Sequence, residues 1–314
     1  LPQPFNHSTI QPFNHSTIQP FNHSTIQPFN HSAIQLSYPK PFPIHTFNPS
    51  KPSPMKLKIF QVDAFTDHLF GGNPAAVCPL QEWLPAEKMQ QIAMENNLSE
   101  TAFFVPVEDG FELKWFTPVT EVKLCGHATL ASGHVLYHHL GYVQPAIRFH
   151  SKSGLLGVEK NGEWLTLNFP ADHLNSVEVP ELLRNGLYIE PAEVWKGFEN
   201  YLVVLKSAEE VYQLKPDFRL LQQLDSLGVI VTARGKDVDF ISRFFAPGAG
   251  IDEDPVTGSA HTSLTPYWAA KMNKTEFTAR QVSTREGYLK CKLLGERVEI
   301  SGKAVTYLEG EISI

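Results

Sequence analysis

Cysteine is scarce in this 314-residue chain: Cys78, Cys125 and Cys291 are its only three, odd in number and unclustered. That argues against a disulfide framework and a zinc site, and points to a reducing, cytoplasmic setting. No stretch approaches the ~18 consecutive apolar residues of a membrane span. Nor does a basic segment lead into an apolar one, as a secretory leader requires, although the glycosylation-acceptor triplet Asn-His-Ser recurs four times near the start. Acid is missing from the first 54 residues, which hold two lysines and no Asp or Glu. All 33 acidic residues and 24 of the 26 basic ones therefore lie from Met55 onward, a net charge of −9. Such a balance argues against nucleic acid or anionic membrane as a partner.

Residues 3–34 contain QPFNHSTI three times and then QPFNHSAI, a perfect period of eight. A unit with one Pro, one Phe and one Ile per eight residues buries too little surface to offset its ordering entropy, so residues 1–54 are expected to be a disordered tail. Eight residues correspond to a 24-base direct repeat, and the chain opens on Leu while a strand pattern begins at Met55. The tail is thus expected to be translated upstream DNA and not part of the native protein.

The remaining 260 residues suffice for one large or two modest domains. "MKLKIFQVDAF" alternates like a half-buried strand, with Leu57 and Ile59 on one side. "FGGNPAAV" reads as a turn around Pro74. Met89, Ile92, Ala93 and Asn96 recur at helical spacing behind Pro85, which predicts a helix ending near Asn97. Thr129 to Leu140 predict a second helix stopped by Gly141, and Asn161-Gly162 supplies a hairpin turn. A third helix is expected after Gly258. Short strands outnumber helices and come in antiparallel runs, unlike a doubly wound sheet.

One internal echo is informative. Lys114-Trp115-Phe116-Thr117-Pro118 followed by Gly126-His127-Ala128 matches Arg243-Phe244-Phe245-Ala246-Pro247 followed by Gly258-Ser259-Ala260. The favoured reading is a duplicated domain, in which two helices beginning with Gly and small residues aim unpaired N–H groups at a shared, anion-favouring cleft.

Three places are candidates for chemistry. Cys125, Gly126 and His127 stand at the first helix mouth, where the helix N-terminus would lower the thiol's pKa and keep His127 neutral; the same run also reads as an ordinary helix start. Asp252, Glu253 and Asp254 precede the second mouth, in what otherwise reads as a solvated turn. Glu100 sits between a helix end and an apolar strand, where a carboxylate is either exposed or, held in a cleft, suited to moving protons.

Four segments in order, "QVDAFTDHLFGGNPAAV", "NNLSETAFF", "FTPVTEVKLCGHATLASGHVL" and "EDPVTGSAHTSLTPYW", resemble the PhzF-like family, named for an isomerase of phenazine biosynthesis. The resemblance covers the body from Met55. It implies an α+β, diaminopimelate epimerase-like fold: two pseudo-symmetric domains, residues 55–170 and 171–314, each a mixed curled β-sheet around a central helix, with the last strands returning to the first domain. It also implies an active site between the domains, and a homodimer.

Carried over by position, the resemblance makes Glu100 the proton shuttle, with His127 and Asp254 orienting the substrate or relaying the proton. Gly126, Gly258 and Ser259, with Cys125 and Thr257 beside them, would bind a small carboxylate substrate; no cofactor or metal is expected. The wider fold's epimerases resemble one another in placing a cysteine before each glycine, whereas this chain has Cys125 before Gly126 but Thr257 before Gly258. That departure disfavours a symmetric two-thiol epimerase. The alternatives are an epimerase or dehydratase using Cys125, and a non-catalytic small-molecule binding protein.

Overall fold

The computed structural model describes residues 55–314, and the repeat segment expected above to be disordered lies outside them. The first half comprises β1 (Lys56–Ala64), β2 (Asn73–Pro79), α1 (Ala86–Asn96), β3 (Glu100–Val107), β4 (Gly110–Phe116), β5 (Glu121–Val122), α2 (Gly126–His138), β6 (Ala146–Ser151), β7 (Gly154–Asn161) and β8 (Trp164–Pro170). There follow β9 (Asn175–Ser176), α3 (Glu181–Leu187), β10 (Glu193–Lys196), β11 (Asn200–Val204), α4 (Ala208–Gln213), α5 (Phe218–Leu221), β12 (Gly228–Arg234), β13 (Phe240–Ala246) and β14 (Ile251–Asp254). The chain ends with α6 (Ala260–Met272), β15 (Glu276–Gln281), β16 (Gly287–Leu294), β17 (Arg297–Gly302) and β18 (Ala304–Ser313).

The strand pairing of the first half recurs in the second. β2 runs parallel to β3, β3 antiparallel to β4, β4 parallel to β6, and β6 to β8 continue as an antiparallel meander. β11, β12, β13, β15, β16 and β17 repeat that series of parallel and antiparallel ladders. The short β5 and β14 precede α2 and α6 in the same way, pairing with β4 and β13. The sequence echo falls on the ends of β4 and β13, so this is a duplicated α+β fold with two mixed sheets curled about central helices. β8 and β17 pair antiparallel and join the halves. One strand crosses between the halves: the carboxy-terminal β18 pairs with β1, whereas the short β9 pairs with β10 inside the second half. Beside β1, Met55 and Ile314 exchange two backbone hydrogen bonds of 2.9 Å.

Side-chain alternation explains the layering. Phe60, Val62, Ala64, Ala75, Val77, Ala102 and Phe104 face α2 in the main core, whereas Ile59, Ala76, Cys78, Phe103 and Val105 face Met89, Ile92 and Ala93 of α1. β1 therefore alternates only at its start, and the half-buried reading gives way to a strand covered on both faces. Burial of each large side chain here contributes roughly 1.5–3 kcal/mol. In α2 every residue from Gly126 to Leu136 is buried. Its small residues let the sheet close tightly around it: a Cβ on Gly133 would stand 2.8 Å from Val158 Cγ1. The hydroxyls of Thr129 and Ser132 donate to the Cys125 and Ala128 carbonyls, which makes their burial tolerable.

Several local expectations are met or corrected. Pro85 caps α1 and Asn97 ends it with φ 50°. Asn161-Gly162 forms the turn between β7 and β8, with Gly162 at φ 62°. Pro74, read as a turn residue, is instead the second residue of β2, opposite Asp63; the parallel ladder to β3 starts one residue later, so its missing N–H costs nothing there. α6 begins at Ala260, two residues past Gly258, with Ser259 as N-cap. No helix among the described residues is long and apolar enough to cross a membrane.

Candidate active site

The first turn of α2 follows from Cys125, whose extended backbone (φ −145°, ψ 115°) starts the helix without a side-chain cap. Free N–H groups of that turn therefore point out of its end. Opposite stands the loop from Pro255 to Ser259 that feeds α6. The two mouths nearly touch: a Cβ built on Gly126 would lie 3.4 Å from Gly258 Cα, and one built on Gly258 would lie 3.6 Å from Gly126 Cα. The Phe65 ring lies against the same glycine, 3.5 Å from the Gly258 Cβ position, held by a backbone with φ 65°.

Glu100, the first residue of β3, reaches this junction. Its Oε2 lies 3.1 Å from His127 Nε2, with the two side chains 13% and 5% exposed. They form an ion pair, and both atoms are buried without a hydrogen-bond partner. On the other side of the ring, Nδ1 stands 3.5 Å from Cys125 Sγ and 3.2 Å from Asn73 Nδ2. Asn73 Nδ2 in turn donates to Asp254 Oδ1 (2.8 Å) and to the Val256 carbonyl (2.9 Å). Thr257 Oγ1 donates to Asp254 Oδ2 at 2.5 Å, so each Asp254 oxygen has a donor.

A second amide frames the acidic loop. Gln281 Oε1 accepts from the Thr257 N–H (2.8 Å), and its Nε2 donates to the Asp254 carbonyl (2.8 Å). Both contacts copy the pattern of a peptide group, so a single buried side chain from β15 fixes the loop as a strand neighbour would.

The charges differ from those read in the sequence. Burial, and next the Glu100 carboxylate, push the Cys125 thiol up to about 11, against the lowering expected at a helix N-terminus. Desolvation outweighs the helix dipole because the thiol is 7% exposed. His127 is likewise corrected from neutral to protonated. Burial works against its charge, and the neighbouring Cys125 and Glu100 work for it, leaving its pKa well above the usual imidazole value. Since the thiol holds its proton at neutral pH, Glu100 is the anion that matters. Burial pushes Asp254 up to about 6, while His127, Thr257 and Asn73 draw it down.

Glu100, Cys125 and His127 bring one ligand-type atom each within 4.8 Å, the one such cluster among the described residues.

The structure thus gathers Glu100, Cys125, Gly126, His127, Asp254, Thr257 and Gly258 at one junction. Ser259 is exposed at the α6 mouth and makes no side-chain cap. Asp252 is exposed, and Glu253 pairs instead with Arg243 at 2.7 Å. Tyr267 and Trp268 belong to the core, and Phe70 is exposed against Tyr307. Asn73 and Gln281 were missed, because an Asn between Gly and Pro reads as turn chemistry and a Gln in a strand has no distinguishing pattern.

Comparison with known proteins adds four results. Residues 62–310 match the family model described as PhzC-PhzF, phenazine biosynthesis-like protein. An "uncharacterized isomerase" of Pseudomonas aeruginosa is 51% identical over 260 residues, covering 83% of this chain and all of that protein. The crystal structure of a phenazine biosynthesis protein PhzF family member from Enterococcus faecalis superposes with a TM-score of 0.81 at 44% identity, covering 83% of this chain and all of the other. A hydroxyproline epimerase from Agrobacterium vitis shares the fold alone, with a TM-score of 0.54 at 10% identity, over 82% of this chain and 93% of its own.

Proposed function

This chain belongs to the phenazine biosynthesis-like PhzC-PhzF family, and on that footing we propose that it is an isomerase that moves a proton between two carbons of a small carboxylic acid without a cofactor. Glu100 is the proton carrier. Its carboxylate removes a proton from a carbon made acidic by the substrate's own carboxylate or double bond, leaving the electron pair delocalised as an enolate or dienolate. The same carboxyl group returns the proton at another carbon, so no redox change occurs. The imidazolium of His127 supports that charge distribution from 3.1 Å. Free N–H groups at the first turn of α2 and around Gly258 and Ser259 favour the substrate carboxylate and the developing oxyanion.

The observation that carries this reading is the Glu100–His127 contact, in which two buried polar atoms face each other and neither has a hydrogen-bond partner. Buried polar atoms without partners are uncommon in folded proteins, and a pair of them at a helix mouth is where a bound ligand would complete the bonding. Cys125 is a poor candidate for the base, since burial keeps its proton in place.

The test is carbon–deuterium exchange. The protein is incubated in D₂O with a panel of amino-bearing and unsaturated carboxylic acids, and NMR follows label at carbon. The expected result is exchange that Glu100→Gln reduces by about 10²–10⁴-fold while the fold survives. Undiminished exchange in that variant overturns the assignment of Glu100, and tight binding with no exchange across the panel would favour a binding protein.

A further inference from the structure

Asn73 opens β2 and is fully buried. Its amide nitrogen has two hydrogens and three neighbours: Asp254 Oδ1 at 2.8 Å, the Val256 carbonyl at 2.9 Å and His127 Nδ1 at 3.2 Å. A carboxylate and a carbonyl can only accept, which fixes the amide's orientation and uses both hydrogens. His127 Nδ1 then receives nothing from Asn73 and keeps its own proton, directed at Cys125 Sγ. Asp254 comes from the second half of the duplicated fold and His127 from the first. Asp254 has no direct bond to the ring, since its other oxygen is occupied by Thr257.

We propose that Asn73 is the positioning residue that couples the halves of the site, holding the Asp254 carboxylate in place beside His127 so that its negative charge stays close to the ring. The backbone around Asn73 is built to hold it there. Arg285, from the loop between β15 and β16, donates to the carbonyls of Gly71 (2.8 Å) and Gly72 (2.9 Å) and to Asp63 Oδ1 (2.8 Å). Gly72, at φ 62°, donates its N–H to the Glu286 carbonyl. A Cβ on Gly72 would lie 2.1 Å from the Ala64 carbonyl, so this approach to Asn73 is closed to any other residue. The ionisable groups facing His127 are Glu100 from β3, Cys125 from the start of α2 and, through Asn73, Asp254 from β14.

For its functional meaning the inference rests on the proposed catalytic reading, but its test needs no substrate. The readout is the His127 titration in the full chain, followed by ¹⁵N NMR of histidine-labelled protein and assigned by loss of the signal in His127→Gln. Asp254→Asn, by loss of a nearby opposite charge, and Asn73→Leu, by releasing that carboxylate from its place, are each expected to bring the midpoint of His127 deprotonation down by about one pH unit. The double variant should fall no further than Asp254→Asn alone, because without that carboxylate Asn73 has no charge to hold. Asn73→Asp should move the midpoint up, by adding an anion beside Nδ1. A packing role alone would shift none of these in opposite directions. Midpoints unchanged in folded Asn73→Leu and Asp254→Asn overturn the inference. If Asn73→Leu does not fold, an unchanged midpoint in Asp254→Asn together with no rise in Asn73→Asp does so. Failure of the Glu100 exchange test leaves these titrations standing, so the two claims fail separately.

Discussion

Glu100 Oε2 and His127 Nε2 lie 3.1 Å apart, yet neither atom has a hydrogen-bond partner. The contact is an ion pair, and Glu100 helps raise the His127 pKa. His127→Gln removes the charge while retaining a donor. Carbon–deuterium exchange on any substrate found is expected to fall about 10²–10⁴-fold, the usual contribution of a positioned acid or base. Because the His127 pKa is raised, exchange in the natural protein should hold through neutral pH and decline as pH rises past that value.

Cys125 should be dispensable. Its thiol is pushed up to about 11 and is 7% exposed, so little thiolate forms at neutral pH. Cys125→Ala is expected to keep exchange within about threefold of the natural rate, and iodoacetamide at pH 7 to leave it intact. Rapid inactivation at that pH would restore the thiol-based epimerase or dehydratase.

Two buried groups give opposite pH dependences of stability. Asp254 is pushed up to about 6 from an ordinary 3.8, so its contribution is full below pH 4 and is lost as pH rises through 6. The stability of the natural protein relative to Asp254→Asn should therefore fall by about 3 kcal/mol between pH 4 and 7. His261 is brought down to about 4 by burial, with its Nδ1 2.9 Å from the Thr257 carbonyl. Its contribution is present above pH 6.5 and lost as pH falls through 4, so the natural protein should lose about 3 kcal/mol relative to His261→Asn over that range. Urea unfolding at a series of pH values measures both.

Gly126 and Gly258 form a pair that a double-mutant cycle can test. Each single alanine would place a Cβ at ordinary contact distance from the other Cα, 3.4 and 3.6 Å, and should fold normally. Together the two methyl groups enter one gap. Denaturant unfolding is expected to show a coupling of about 1–3 kcal/mol beyond additivity, the scale of overpacking between neighbours.

Much of the framework was legible because it rests on local chemistry. Pro85 and Asn97 bracket α1, Asn161-Gly162 turns a hairpin, and the paired Gly-x-Ala runs mark both central helix mouths. The short helices α3 to α5 were not legible, since four to seven residues give too little periodicity for a pattern to emerge. Asn73 and Gln281 escaped for another reason: their partners come from remote parts of the chain, and nothing in either local sequence tells a buried amide from a solvated one. The charges at Cys125 and His127 were misread because helix-end electrostatics are local, whereas burial and the approach of Glu100 are tertiary.

The docking of carboxy-terminal β18 on β1 means that neither half completes its own ribbon. Cut after Pro170, the amino-terminal piece would present the bare margin of β1, and the carboxy-terminal piece would carry β18 with nothing to dock on. Unpaired strand margins invite self-association, so each fragment alone should clump. Mixed, they are mutually complementary, which makes this chain a natural scaffold for a split-protein reporter whose reassembly also rebuilds the junction where Glu100 meets His127.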